Sequence, residues 1–344
     1  MGEAAELRVR DWLPRTVGLL LGTLLLATAF IAAYVGALHR PTPRDVPVGV
    51  VLGDQRAQAV LAAVRGETTA IKPVGYDDPG AAEDGLTGRE VYAVLTSTPE
   101  GGLLLTTASA AAPSATDTVT RVVGTAAERA RLPLRVSDAV PVATTDPRGL
   151  VPFYLAVGFV LGGYLAATVL GISAGTAPRG PRRAGLRIAA LAGHSVALGV
   201  AGSLVVGPVL DVWDHDLAAI ALTGMLASFA AAMVASAVQG WLGVLGTGLV
   251  ILLLVVLGNP GSGGIYAPEF LPDPLRGMHR WNIPGLATDL LKSVIYFDRR
   301  SAGWAVTGLA LWAVLGLAGL LTATLVRGRT SPRRPGPTAP AGAE

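Results

Sequence analysis

The sequence predicts an α-helical polytopic membrane protein with six transmembrane helices and a small α/β extracytoplasmic domain between helices 1 and 2. Three observations predict it. Hydrophobic residues make up 51% of the 344 and charged residues only 15%, far from the balance of a soluble domain. Six stretches, about 17–38, 150–175, 188–210, 217–238, 241–258 and 302–326, approach the roughly 20 apolar residues that a helix needs to cross about 30 Å of hydrocarbon. Between the first and second lies a polar run, 39–149, long enough for one small domain.

Residues 1–15 carry Arg8, Arg10 and Arg15 ahead of the first span, 16–38. An arginine-bearing start and "AAYVGA" suit a signal peptide, but the apolar run exceeds the usual core of about 7–15 residues, so the span is read as an uncleaved anchor. Residues 150–326 form a five-helix transmembrane domain in which only "QGW", 239–241, separates the fourth and fifth of the six stretches, a tight hairpin. Orientation follows arginine in short loops and flanks. "APRGPRRAGLR", with Arg179, Arg182, Arg183 and Arg187, and the tail with Arg327, Arg329, Arg333 and Arg334 fall on the same face as the N-terminus, while "DVWDHD" on the other face has no Lys or Arg. Both termini are therefore expected in the cytoplasm of a multi-pass cell-membrane protein, with 327–344 a disordered tail. The loop 259–301 dilutes the pattern, since Arg276, Arg280, Lys292, Arg299 and Arg300 lie on its outer side.

The outer run reads as α/β. "VPVGVVLG" is strand-like, "DQRAQAVLAAVR" has helical spacing behind a capping Asp54, and "REVYAVLTS" and "GLLLTTAS" flank a Pro-Glu-Gly-Gly turn. "SATDTVTRVVGTAAERARL" is an amphipathic helix, and "LRVSDAVPVA" returns the chain to the membrane. Such a domain is expected to fold alone.

Composition excludes several classes. With no cysteine there is no disulfide, thiolate nucleophile or cysteine metal site. A net charge of +3 held in short arginine clusters does not make a nucleic-acid surface. No Walker motif occurs, although Gly85 and Gly88 sit in a glycine-bearing loop, so the chain has no ATPase site of that kind. None of the six stretches holds an Asp or Glu to couple transport to an ion gradient, and His194 is the one titratable residue at depth, either lining a path or bonded to a neighbouring helix. Asp211, Asp214, His215 and Asp216 are of metal-binding type but sit in a short connector. Ser262 with His279 lacks a nucleophile elbow and a third member, so neither enzyme nor cofactor is expected. Gly18 with Gly22 and Gly158 with Gly162 are spaced for close helix contact.

"GNPGSGGIYAPEFLP" opens a segment, 259–300, in which Pro260, Pro268, Pro272, Pro274 and Pro284 forbid one long helix. After Pro284, Leu286, Leu290, Leu291, Val294 and Ile295 recur at helical spacing while Asp289, Lys292 and Ser293 take the other side, an amphipathic helix of about three turns, too short to span. Re-entrant or interface-lying helices on the outer side are expected.

In order along the chain, "VPVGVVLG", "REVYAVLTS", "TTDPRGLVPFYLAVGFVLGGYLAA", "LGNPGSGGIYAPEFLP" and "IPGLATDLLKSVIYF" resemble the phage infection protein family and its relatives among type-2 ABC exporter permeases, over most of residues 16–326. The resemblance implies a membrane subunit that exports a hydrophobic or amphipathic compound, working as a homodimer or heterodimer with a separate ATP-binding subunit. It also implies that the segment before the last span, with Pro260, Pro268, Pro272, Pro284, Leu290, Leu291, Lys292 and Ile295, closes the outer end of the substrate path; a plain cap on the bundle is the alternative. Arg179, Arg182, Arg183 and Arg187 would face that partner or lipid headgroups. The rival function is a non-transporting surface scaffold or receptor whose outer domain binds a partner.

Overall fold

The computed structural model describes residues 2–327, so the tail expected at 328–344 lies outside the described residues. Five helices are long and apolar enough to cross a membrane: Thr16–Leu38 within α1 (Gly2–Leu38), α5 (Val151–Ala174), Pro181–Val209, which is α6 (Pro181–Leu204) plus a wider turn, α7 (Leu217–Leu242), and α11 (Ala302–Arg327). The stretch at 241–258 is shorter. Gly243, at φ 63°, turns the chain straight out of α7 into α8 (Val244–Ile251), which runs on as a wide turn over Leu252–Leu257. The helix so made is about 20 Å long, against the roughly 30 Å of a full crossing. It nevertheless starts with Gly246 against the Val238 and Gln239 backbone and ends with Leu257 packed near Ala37, Leu38 and Leu271.

Between α1 and α5 the chain folds into a five-stranded sheet of order β2-β1-β3-β4-β5, parallel except for the β3–β4 hairpin. The strands are β1 (Val46–Val51), β2 (Ile71–Tyr76), β3 (Ala93–Ser97), β4 (Leu103–Thr107) and β5 (Leu134–Asp138); the helices are α2 (Gln55–Glu67), α3 (Pro79–Thr87) and α4 (Pro113–Arg129). Asp54 caps α2 by accepting from the Ala57 amide. Strand β2 and helix α3 are additions to the sequence reading. Pro73 and Gly75 interrupt β2, which only an edge strand tolerates, and β2 is an edge. The domain's two apolar clusters are completed from elsewhere in the chain, one by Ala267 and Phe270 and the other by Phe297.

Helix α7 is the axis of the bundle. Ala230, Ala231, Ala232 and Ala235 are fully buried there, because α5, α6 and α11 approach it through glycine. A Cβ on Gly163 would lie 2.2 Å from the Ser228 carbonyl oxygen, on Gly199 2.4 Å from that of Ala221, and on Gly316 2.5 Å from Met233 backbone. The glycine pairs picked out by spacing are not these contacts. Gly18, Gly22 and Gly158 have no neighbour within 4 Å, and Gly162 faces only the Leu198 side chain, so spacing identified small residues without identifying the buried face. Gly163→Ala should therefore cost about 1–3 kcal/mol, because backbone cannot give way as a side chain can, whereas Gly158→Ala should be neutral or stabilising. Thermal melting of the two variants in detergent checks this.

Candidate functional site

The segment 259–300 folds as single turns at Pro260–Ser262 and Pro268–Phe270, a short α9 (Asp273–Met278) and α10 (Ile283–Tyr296). Each proline opens a turn or helix: Pro260, Pro268 and Pro284 stand in the first turn of theirs, and Pro272 caps α9. Helix α10 is fixed by Asn282, whose side chain accepts from the Gly285 amide. Leu286, Leu290, Leu291, Val294 and Ile295 are at most 7% exposed and join the core formed with α5, α7 and α11. Gly308 of α11 makes room for Leu286.

The other side of α10 does not face water. Lys292 and Ser293 are 3% and 1% exposed, because the α/β domain lies on them. Arg89 reaches across with Nη2 2.6 Å from Asp289 Oδ1, while its Nη1 donates to the Asp289 carbonyl and to Ser293 Oγ. The second Asp289 oxygen stands 3.1 Å from His279 Nε2, and His279 Nδ1 donates to the Ser262 carbonyl at 2.9 Å. Tyr92 donates to Glu269 at 2.9 Å, Lys292 Nζ to the Ala111 carbonyl at 2.9 Å, and the Ala267 amide to Ser114 Oγ. Arg89 holds a left-handed φ of 63° just past the end of α3, a position that favours glycine, so a strained residue supplies the main cross-link.

Burial works against charge on Asp289, but His279 and Arg89 outweigh it and hold its carboxyl well below the usual range. Burial, and then Arg89, push the Lys292 amine down to about 8 against the pull of Asp289, Asp146 and Glu269. Burial, followed by Glu269, raises the Tyr92 phenol. These shifts have opposite consequences. Asp289 contributes stability that is lost as pH falls below the carboxylate range, whereas the folded state resists the Lys292 charge below pH 8, so stability rises as pH climbs from about 8 towards 10.5. Melting should shift upward between pH 8 and 10 by the equivalent of about 2 kcal/mol, and Lys292→Met should flatten that rise.

Beside this layer lies a cleft of about 820 Å³, bounded by Arg89, Glu90, Tyr92, Glu269, Arg276, His279, Arg280, Asp289, Lys292 and, from α11, Trp304.

The other candidate residues, His279 excepted, lie apart from the cleft. Ser262 and His279 do meet, but the serine hydroxyl is buried and donates to the Asn259 carbonyl, so no nucleophile faces the imidazole. Among the described residues no group of three or more metal-type side chains converges; Asp216 pairs with Arg299, His215 with Asp214, and Trp213 anchors the loop in the core, edge-on to Tyr296. Arg179, Arg182 and Arg183 are exposed, and Arg179 and Arg183 share a polar cavity with Arg327. Arg187 differs from them. It is 6% exposed and donates to the carbonyls of Leu170, Gly175 and Thr176, capping the end of α5, so it is not available to a partner. His194 projects from the outward face of α6, while its neighbour Ser195 turns inward to Ser228. Arg89, Tyr92 and Glu269 carry no local motif; the one cue to such partners was an Asp and a Lys three residues apart on an otherwise apolar helix.

Comparison with family models, curated proteins and solved structures returns no match to the chain.

Proposed function

We propose that the chain is a permease-type membrane subunit that exports a hydrophobic or amphipathic compound, as a dimer with a separate ATPase, in the manner of the type-2 ABC exporters it resembles. Six crossings with both termini in the cytoplasm follow on this reading. In support, the short helix after Gly243 runs from the α7–α8 turn to Leu257, beside the outer end of α1. The observation that carries the proposal is α10, which lies buried against α5, α7 and α11 and is latched by Arg89 of the α/β domain; on the proposed orientation it covers their outer ends. An element so placed decides whether the outer end of the bundle is open. The absence of Asp and Glu from the long apolar helices favours an external energy source.

Affinity purification of the full chain in mild detergent should bring down an ATPase with a Walker motif; repeated recovery of the chain with none would sink the proposal. Single cysteines at exposed Asp117 and Arg179 should label from outside and inside respectively. The scaffold reading has one specific support, the open edge of the sheet at β5, where Val136 is half exposed.

A further inference from the structure

Charges in the cleft beside α10 do not balance by pairing. Arg89 is matched to Asp289, and Glu269 accepts from Tyr92. Among the described residues no carboxylate lies within ion-pair distance of Arg276, Arg280 or Lys292, all of which line the cleft. Lys292 is 3% exposed and donates to a single acceptor, the Ala111 carbonyl, although an ammonium has three protons to give. The buried Nε of Arg89 also has no acceptor. A buried donor without a partner is costly, and the cleft joins one, Arg89 Nε, to an under-coordinated Lys292 ammonium and to the solvent-reachable Arg276 and Arg280. With four cations against the carboxylates of Glu90, Glu269 and Asp289, the lining favours an anion that brings acceptor oxygens.

The mouth of the cleft fixes what kind of anion. Trp304 lines it and packs edge-on against Trp281 at 4.9 Å, both substantially exposed, with the Trp304 indole donating to the Arg280 carbonyl. Tryptophans with one end bonded and a ring exposed settle at the level of lipid headgroups. On the same face of α11 as Trp304, two and three turns further along, Leu311 and Leu315 are exposed apolar side chains. An anion reaching the cations from this side would carry a hydrocarbon tail along α11.

We propose that the cleft binds the anionic headgroup of an amphiphile, with the tail against α11 in the outer leaflet. That the bound amphiphile is cargo rests on the export reading above; that it binds does not.

The test uses the full chain in uncharged detergent, titrated with phosphatidic acid bearing brominated acyl chains and, separately, with phosphatidylcholine bearing the same chains, following quenching of tryptophan fluorescence. Phosphatidic acid should quench at lower concentration than phosphatidylcholine, and Trp304→Phe should remove most of the difference. The double variant Arg276→Gln with Arg280→Gln leaves the Arg89–Asp289 pair intact, so its melting should hold while its affinity for phosphatidic acid drops about tenfold or more. Equal quenching by both lipids, or unchanged affinity in the double variant, overturns the proposal. Glycerol phosphate competing as strongly as the lipid would assign the cleft to a soluble phosphate and overturn it as well. No ATPase takes part in the titration, so failure to recover one bears on export alone.

Discussion

Asp289→Asn should be the most destabilising conservative substitution in the chain. It keeps the shape of the side chain but removes the one carboxylate that, among the described residues, both Arg89 and His279 contact, leaving the Arg89 guanidinium without its counter-ion in a largely buried layer. Removing one member of a buried ion pair costs about 3–5 kcal/mol, since the remaining charge stays desolvated. In detergent the variant should melt well below the parent, and proteolysis should then cut between the α/β domain and α5. The exposed pair Arg300–Asp84 offers the contrast. Arg300→Ala should change stability by about 1 kcal/mol or less, because water screens such pairs. Equal melting of Asp289→Asn and the parent would mean that Arg89 and Asp289 do not fasten the domain.

Polar replacement of Leu290 and Ile295 together should detach α10 from the bundle. Both are buried, and truncating a buried aliphatic side chain costs about 2–5 kcal/mol before the added cost of an unpaired polar group. The five long helices keep their apolar length, so insertion should persist. If α10 is an outer gate, export or resistance is lost, or the membrane leaks, at normal abundance. If α10 only caps the bundle, abundance and melting temperature fall in proportion to activity. A double variant with unchanged activity and unchanged stability would refute both roles.

The basic residues of the 259–301 loop, which diluted the topology signal, acquire a reason in three dimensions. Arg299 and Arg300 reach Asp216 and Asp84, Lys292 is buried under the α/β domain, and Arg276 and Arg280 line the cleft. A count of loop charges treats such residues as solvated and free, whereas Lys292 is buried and Arg299 and Arg300, though solvent-exposed, are paired. Similarly, Arg187 belonged by sequence to a cytoplasmic cluster, yet its guanidinium is spent on the last carbonyls of α5.

Local order was legible wherever neighbours in sequence decide structure. Apolar length gave the long helices, alternation and turn residues gave β1, β3 and β4, Asp54 marked the start of α2, and Pro284 with the leucines behind it gave α10. Spacing also gave the polar and apolar sides of α10, because a helix fixes which residues share a face. It did not say what covers the polar side. Asp289 and Lys292 meet Arg89 and Ala111 across roughly 200 and 180 residues of chain, as only packing of the sheet onto the segment arranges. Pairing over such distances leaves no periodicity to read. The same holds for the glycines, since small residues at helical spacing permit close approach on any face, and only assembly around α7 selected Gly163, Gly199 and Gly316 for it.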